Sequence, residues 1–185
     1  MRPKSKLSMG AAMMAITGLG TIADAVMSLM NNFTHSFLEI GIGPEQVNVE
    51  RADILAFSPA LFEYISHLHV IVSGLEAALG LVLVALAWYG IRRGYMWAWI
   101  TTSGASLLVL AAVFPIHYVY GLATFSHLGM NYMAALMFAV GAFMALGPLR
   151  GHREPGGSQQ VQPCCAGLKQ NDPHEAAAGS GSHVG

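Results

Sequence analysis

Histidines that could bind a cofactor fall beside the ends of the apolar segments of this chain. Five of the eight histidines lie before residue 130: His35, His67, His69, His117 and His127. Imidazole nitrogens are common ligands of copper, iron and zinc, and histidine is a common axial ligand of haem iron. The sequence therefore predicts that a transition metal (copper, iron or zinc) or haem b is bound where these histidines meet.

Not all of these histidines can point into one site. His69 and Glu76 are seven residues apart, close to two helical turns, so they share a helix face about 10 Å apart. His67 lies two residues before His69, and side chains two apart on a helix diverge by about 200°. A haem would be held by His69 and His127. We expect a metal to be bound by His69, His117, His127 and Glu76. Secondary candidates for the site are His35, His67, Asn131 and Tyr118.

Two carboxylates lie inside apolar segments, where an unpaired charge is unfavourable. Asp24 belongs to the first apolar segment and Glu76 to the second. A charged residue at the centre of a membrane span costs about 2.5–3.5 kcal/mol on insertion scales, so such residues usually have a function. The two carboxylates therefore predict proton or cation handling. The structural alternative is that each forms a hydrogen bond to a neighbouring helix.

The composition is that of an integral membrane protein. Of 185 residues, 54% are hydrophobic and 10% are charged, against about 25% charged residues in soluble domains. Ser58 and Pro59 suit the N-cap and first position of the second long helix. Pro115 is a predicted end of the third helix, and Pro148 of the fourth. A hydrocarbon core of about 30 Å needs about 20 apolar residues, and the predicted spans cover residues 9–30, 68–90, 96–114 and 124–146.

The positions of lysine and arginine predict how these spans are oriented. Arginines occupy the turn after the second span, as at Arg92, and follow the fourth span, as at Arg150. Basic residues of short loops stay on the cytoplasmic side. We therefore predict an all-α integral membrane protein, a four-helix up-down-up-down bundle with both termini cytoplasmic. The histidines then face the extracytoplasmic side of the cell membrane, beside an outer loop (31–58) that contains a short interfacial helix (45–57).

The topology divides the chain into a cytoplasmic N-terminus (1–8), a membrane domain (9–150) and a cytoplasmic tail (151–185). The tail is rich in Gly, Ser, Gln, Pro and Ala, so we expect it to be disordered. Its adjacent Cys164 and Cys165 match no zinc motif or c-type haem motif, and their role stays open. The formal net charge of −1 gives no support to nucleic-acid binding.

These features support three hypotheses of function. The first is a transition-metal or haem b protein that carries out electron transfer or oxidation at the extracytoplasmic side. The second is a cation-coupled or proton-coupled transporter that uses Asp24 and Glu76. The third is an accessory subunit of a larger membrane complex. The lipid bilayer is the partner that all three share. The sequence leaves undecided whether the chain is an enzyme and whether it forms a homo-oligomer.

Overall fold

The described part of the chain forms four long helices and two short ones. The computed structural model describes residues 3–34 and 40–151, and within these ranges there is no strand. A π-helical turn (Leu86–Gly90) and a 3-10 turn (Ile91–Arg93) extend the fourth helix. The helices are α1 (Pro3–Asn32), α2 (Pro44–Val47), α3 (Arg51–Phe57), α4 (Pro59–Ala85), α5 (Met96–Val119) and α6 (Phe125–Gly151).

Four of these helices confirm the prediction of a multi-pass membrane protein. By length and composition, α1, α5, α6 and α4 with its extension can each cross a membrane. His35, the tail from residue 152 onward, and the cysteines Cys164 and Cys165 lie outside the described residues. The predicted N-terminal segment is already helical from Pro3.

The start of α4 follows the local signal in the sequence. The Ser58 hydroxyl oxygen accepts a hydrogen bond from the Leu61 N–H at 3.3 Å. Pro59 occupies the first helical position, where no intrahelical partner for an N–H exists. Because the helix begins here, His67 and His69 both lie within its third turn.

Two helices continue past the prolines that the sequence predicts as their ends. Helix α5 runs through Pro115 to Val119, and α6 runs through Pro148 to Gly151. A proline removes one N–H donor and crowds the carbonyl four residues earlier, but later residues can still bond within the helix, and membrane helices tolerate such breaks. As a result, His117 lies in a helix and not in the turn.

The outer-loop segment predicted as one helix forms two. Asn48 ends α2 in the left-handed conformation, with φ 55°. Helix α3 then begins after Glu50, whose N–H donates to the Asp53 carboxylate at 2.8 Å. The Arg51 guanidinium donates to the Thr34 carbonyl oxygen at 2.6 Å, and so ties α3 to the end of α1.

Helix α1 packs against both α4 and α6 through glycines. A Cβ atom on Gly18 would lie 2.8 Å from the Gly80 carbonyl oxygen of α4, and one on Gly10 would lie 2.5 Å from the Gly141 carbonyl oxygen of α6. Membrane helices associate closely where small residues let their backbones approach. The glycines therefore determine which helices are neighbours: α1 has α4 on one face and α6 on another.

Contacts at two levels define how α1 and α4 align. Gly18 meets Gly80, and the Asn32 amide donates to the Ser66 hydroxyl at 2.8 Å. Asn32 lies fourteen residues after Gly18, and Ser66 lies fourteen residues before Gly80, so the two separations are equal. Any residue of α1 can therefore be matched with the residue of α4 at its level.

The buried core lies toward the end of the bundle where α1 begins. Helix α5 joins it mainly at the turn after α4 and through Trp99, whose indole N–H donates to the Ala142 carbonyl oxygen at 2.9 Å. The rest of α5 is largely exposed on the protein's surface. The core includes Leu7, Ala11, Met14, Leu83, Ala87, Ile91, Ala142, Ala145 and Leu149.

Candidate functional site

The short turn between α5 and α6 brings two histidines together. His117 lies in the last turn of α5, and His127 lies in the first turn of α6. Gly121 allows the reversal between them with a positive φ of 70°. The Thr124 hydroxyl accepts a hydrogen bond from the His127 N–H at 3.3 Å. This bond caps the N-terminus of α6 and so fixes the position of His127 in its first turn.

The two imidazole rings stack, with their Nε2 atoms facing each other. The ring centroids are 5.0 Å apart at an interplanar angle of 29°, and the two Nε2 atoms are 3.1 Å apart. Each Nδ1 atom lies against a backbone carbonyl oxygen. The His117 Nδ1 is 2.8 Å from the oxygen of Val113, and the His127 Nδ1 is 2.7 Å from the oxygen of Ile40. Both histidines are half-buried.

These hydrogen bonds decide the tautomer of each ring. A carbonyl oxygen only accepts, so the Nδ1 atoms of both His117 and His127 carry hydrogen. In two neutral rings, both Nε2 atoms would then present lone pairs to each other across 3.1 Å, which is repulsive. The pair is stable when a shared proton makes one ring an imidazolium cation, or when a metal ion accepts both lone pairs.

The same geometry suits one edge of a metal coordination sphere. Nitrogens 3.1 Å apart that each bind an ion at about 2.0–2.1 Å make an angle of roughly 100° at it, near the tetrahedral angle. Backbone carbonyls on the far ring nitrogens are a common way to orient histidine ligands. Within residues 3–34 and 40–151, no three His, Cys, Asp or Glu side chains are placed to hold one ion. The pair can thus provide two ligands of an ion.

The outer loop contacts the histidine pair at the first turn of α6. Ser126 donates from its hydroxyl to the Gly41 carbonyl oxygen at 3.2 Å, next to the Ile40 carbonyl that holds His127. Gly41 has a φ of 82°, and a Cβ atom there would collide with the Ser126 backbone. An open cavity of about 510 Å³ adjoins this loop. It is lined by Met27, Met30, Asn31, Thr34, Ile40, Gly41 and Ile42.

Aromatic side chains extend the site along α5 and α6. The Tyr118 and Tyr132 hydroxyls are 2.7 Å apart and share a hydrogen bond. The Tyr132 ring also packs on Phe114, with centroids 5.2 Å apart. Asn131 lies one turn after His127 and is half-buried. The secondary candidates Tyr118 and Asn131 therefore lie on the same two helices as the histidine pair.

His69 belongs to a separate network between α1 and α4. Its Nδ1 lies 3.3 Å from the Asn32 side-chain oxygen, which only accepts, so this ring also carries hydrogen on Nδ1. Asn32 is 2% exposed and donates to the Ser66 hydroxyl. His67, two residues before His69, is exposed. The structure thus joins His127 with His117, and His69 with Asn32.

Asn32 is the residue of this network that the sequence analysis missed. A signal for it exists, because Asp24, Ser28 and Asn32 follow each other at intervals of four along α1. The contacts of Asn32 with Ser66 and His69 show that its side chain is turned toward α4.

The carboxylates Asp24 and Glu76 lie at nearly the same level of the helix pair. Asp24 is six residues past Gly18, so it is level with Gly74, six residues before Gly80. Glu76 is two residues from that level, about 3 Å along the helix axis. Both side chains are half-buried. The level of these two carboxylates is therefore eight residues, about 12 Å, from Asn32 along α1.

Compared with family models, with curated proteins and with solved structures, the chain matches none. Its function is therefore inferred from the chemistry of its own side chains.

Proposed function

We propose that this membrane protein binds a transition-metal ion between His117 and His127. The observation that carries the proposal is the approach of the two Nε2 atoms to 3.1 Å while both Nδ1 atoms donate to backbone carbonyls. Copper and zinc are the first metals to test, because affinity for imidazole rises along the divalent series to copper, and zinc binds histidine readily. Water or an external ligand would fill the remaining positions, which leaves room for a redox partner or a substrate.

The proposed orientation places this site on the extracytoplasmic side. Described basic residues at the opposite end support it: Lys4, Lys6, Arg92, Arg93 and Arg150. Short loops rich in lysine and arginine stay in the cytoplasm. This charge distribution supports the predicted up-down-up-down arrangement with cytoplasmic termini.

A haem is the alternative cofactor for the same residues. Bis-histidine ligation puts the two ligand nitrogens on opposite faces of the haem, about 4 Å apart at a metal–nitrogen distance of roughly 2 Å. The 3.1 Å separation and stacked rings of His117 and His127 leave no space for a porphyrin between them. A single ion therefore fits this pair better, and haem held by His69 and His127 stays a prediction.

The proposal is tested by metal content and affinity of the detergent-purified protein. We expect close to one equivalent of copper or zinc by elemental analysis, with affinity that falls as the pH is lowered because protons compete for Nε2. The single variants His117→Ala and His127→Ala should each bind at least about tenfold more weakly. An absorption spectrum after growth with added haem tests the alternative in the same sample.

The matched controls are His67→Ala and His69→Ala. His67 is exposed and His69 bonds to Asn32, so both variants should keep the metal affinity of the unmodified protein. Equal loss in all four variants, or full binding by the His117→Ala, His127→Ala double variant, would contradict a site at this pair. A Soret band that is lost in His69→Ala would show that the bound cofactor is a haem and not a single ion.

A second candidate function is proton-coupled or cation-coupled transport. Two half-buried carboxylates, Asp24 and Glu76, lie level on packed membrane helices, which is where transported protons or cations bind in many carriers. Reconstituted in liposomes with a pH-sensitive dye, the protein should move protons, and Glu76→Gln should reduce the rate at least about tenfold. Glu63→Gln, an exposed residue in the first turns of α4, is the control. Flux equal to that of empty liposomes would end this hypothesis.

A further inference from the structure

A basic pocket lies at the end of the bundle opposite the histidine pair. It has a volume of about 440 Å³ between the first turns of α1 and the turn after α4. Three cationic side chains, one hydroxyl and one apolar residue line it: Lys4, Arg92, Arg93, Ser8 and Leu7. Such a collection of donors at a membrane boundary is suited to an anion.

Packing of the turn explains why the arginines face α1. Ala87 within the π-helical turn and Ile91 directly after it are fully buried, and Gly90 lies so close to Ala98 that a side chain there would collide. The alignment set by Gly18 and Gly80 places Ile91 level with Leu7, and both belong to the core. The exposed Arg92 and Arg93 that follow Ile91 are thereby placed beside α1.

Aromatic rings orient both arginines. The Arg92 guanidinium carbon lies 4.3 Å from the centre of the Trp88 ring, and that of Arg93 lies 5.6 Å from the centre of the Tyr89 ring. Cation–π contacts of this kind hold a guanidinium group over the face of a ring. Trp88 and Tyr89 are exposed on the protein surface, and such rings favour the headgroup level of a bilayer. The pocket therefore lies where lipid headgroups lie.

The described carboxylates are far from this pocket. Within residues 3–34 and 40–151, the acidic residue of α1 is Asp24, seventeen residues from Leu7, or about 25 Å along the helix. Glu76 lies at nearly the same level on α4, and the others belong to the outer loop or the start of α4: Glu45, Glu50, Asp53 and Glu63. Within the part of the chain that the structure describes, no carboxylate therefore lies near the three cations.

We propose that this pocket binds the phosphate of an anionic phospholipid headgroup. Lys4, Arg92 and Arg93 would neutralise the phosphodiester, since guanidinium groups match phosphate oxygens with paired N–H donors. The Ser8 hydroxyl can donate to a further oxygen, and the exposed Trp88 ring beside Arg92 offers apolar surface to the glycerol and upper acyl chain. The pocket is distant from the histidine pair, so the inference is independent of metal binding.

The test uses the full chain in detergent, titrated with phosphatidylglycerol or phosphatidylcholine of identical acyl chains and observed by native mass spectrometry. We expect phosphatidylglycerol to bind at least about tenfold more tightly than phosphatidylcholine. The Arg92→Gln, Arg93→Gln double variant and Lys4→Gln should lose most of that preference. Arg92→Lys, Arg93→Lys should keep part of it, because the charge remains while the paired donors are lost.

The control variants are Lys6→Gln and Arg150→Gln, exposed cations at the same end that do not line the pocket. Both should bind phosphatidylglycerol within about twofold of the unmodified protein. Equal binding of the two lipids, or equal loss in the control variants, would overturn the proposal in favour of general surface charge. Displacement of phosphatidylglycerol by millimolar inorganic phosphate, with the same dependence on Arg92 and Arg93, would overturn the lipid assignment and leave a soluble phosphate as the ligand.

Discussion

At the scale of single residues, backbone carbonyls decide what the histidines can do. His117 and His127 each donate from Nδ1 to a carbonyl oxygen, so their reactive nitrogens are the Nε2 atoms that face each other. His69 donates from Nδ1 to an amide oxygen instead, within a network that joins two helices. The same residue type thus has two environments. His117 and His127 face each other, whereas His69 lies at the interface between α1 and α4.

The interface role predicts a stability change on substituting Asn32. Asn32→Ala removes the bond to Ser66 and the bond to His69, and leaves both partners without this polar group at a buried position. We expect a loss of about 1–2 kcal/mol in free energy of unfolding, as for hydrogen bonds between membrane helices. Reversible unfolding in mixed detergent micelles measures it.

Thr34→Ala is the control for that experiment. Thr34 is exposed, and its hydroxyl donates to the Asn31 carbonyl oxygen at 3.0 Å, at the end of α1. We expect its substitution to change the free energy of unfolding by less than about 0.5 kcal/mol. A comparable loss in both variants would mean that the end of α1 unfolds locally, and that the bonds to α4 do not decide its stability.

At the scale of helices, the sequence predicts the elements better than their neighbours. Apolar length marks the four long helices, and Ser58 with Pro59 marks the start of α4. Hydropathy carries no information on which helix faces which. The glycines at 10, 18, 80 and 141 do carry it, because they set the close approach of α1 to α4 and α6.

The ends of the helices are the other feature in which the structure differs from the sequence prediction. Pro115 and Pro148 read as stops, yet each lies within a helix that continues for about one more turn. That additional turn positions His117 on α5, opposite His127 on α6. The proximity of these two residues was predictable in outline, because only a turn between adjacent spans separates them. The approach of their Nε2 atoms was not predictable, because it depends on the carbonyls of Val113 and Ile40.

At the scale of the molecule, the two ends of the bundle differ in packing and charge. The end where α1 begins holds the buried core and the basic pocket. The other end holds the histidine pair, the outer loop and an open cavity. Sites that exchange ligands are usually found in the less tightly packed parts of a protein. A packed end can keep the helices assembled while the other end admits an ion.

This polarity makes a prediction about orientation in the cell membrane. With Cys164 and Cys165 replaced by serine, a single cysteine is introduced either as Val119→Cys, beside the histidine pair, or as Lys6→Cys, beside the basic pocket; both positions are exposed. A membrane-impermeant maleimide added to intact cells should label the first and not the second, because basic short loops are retained in the cytoplasm. Permeabilised cells should show labelling at both positions. Labelling of Lys6→Cys alone in intact cells would indicate the inverted topology, and the proposed metal site would then draw its ion from the cytoplasm.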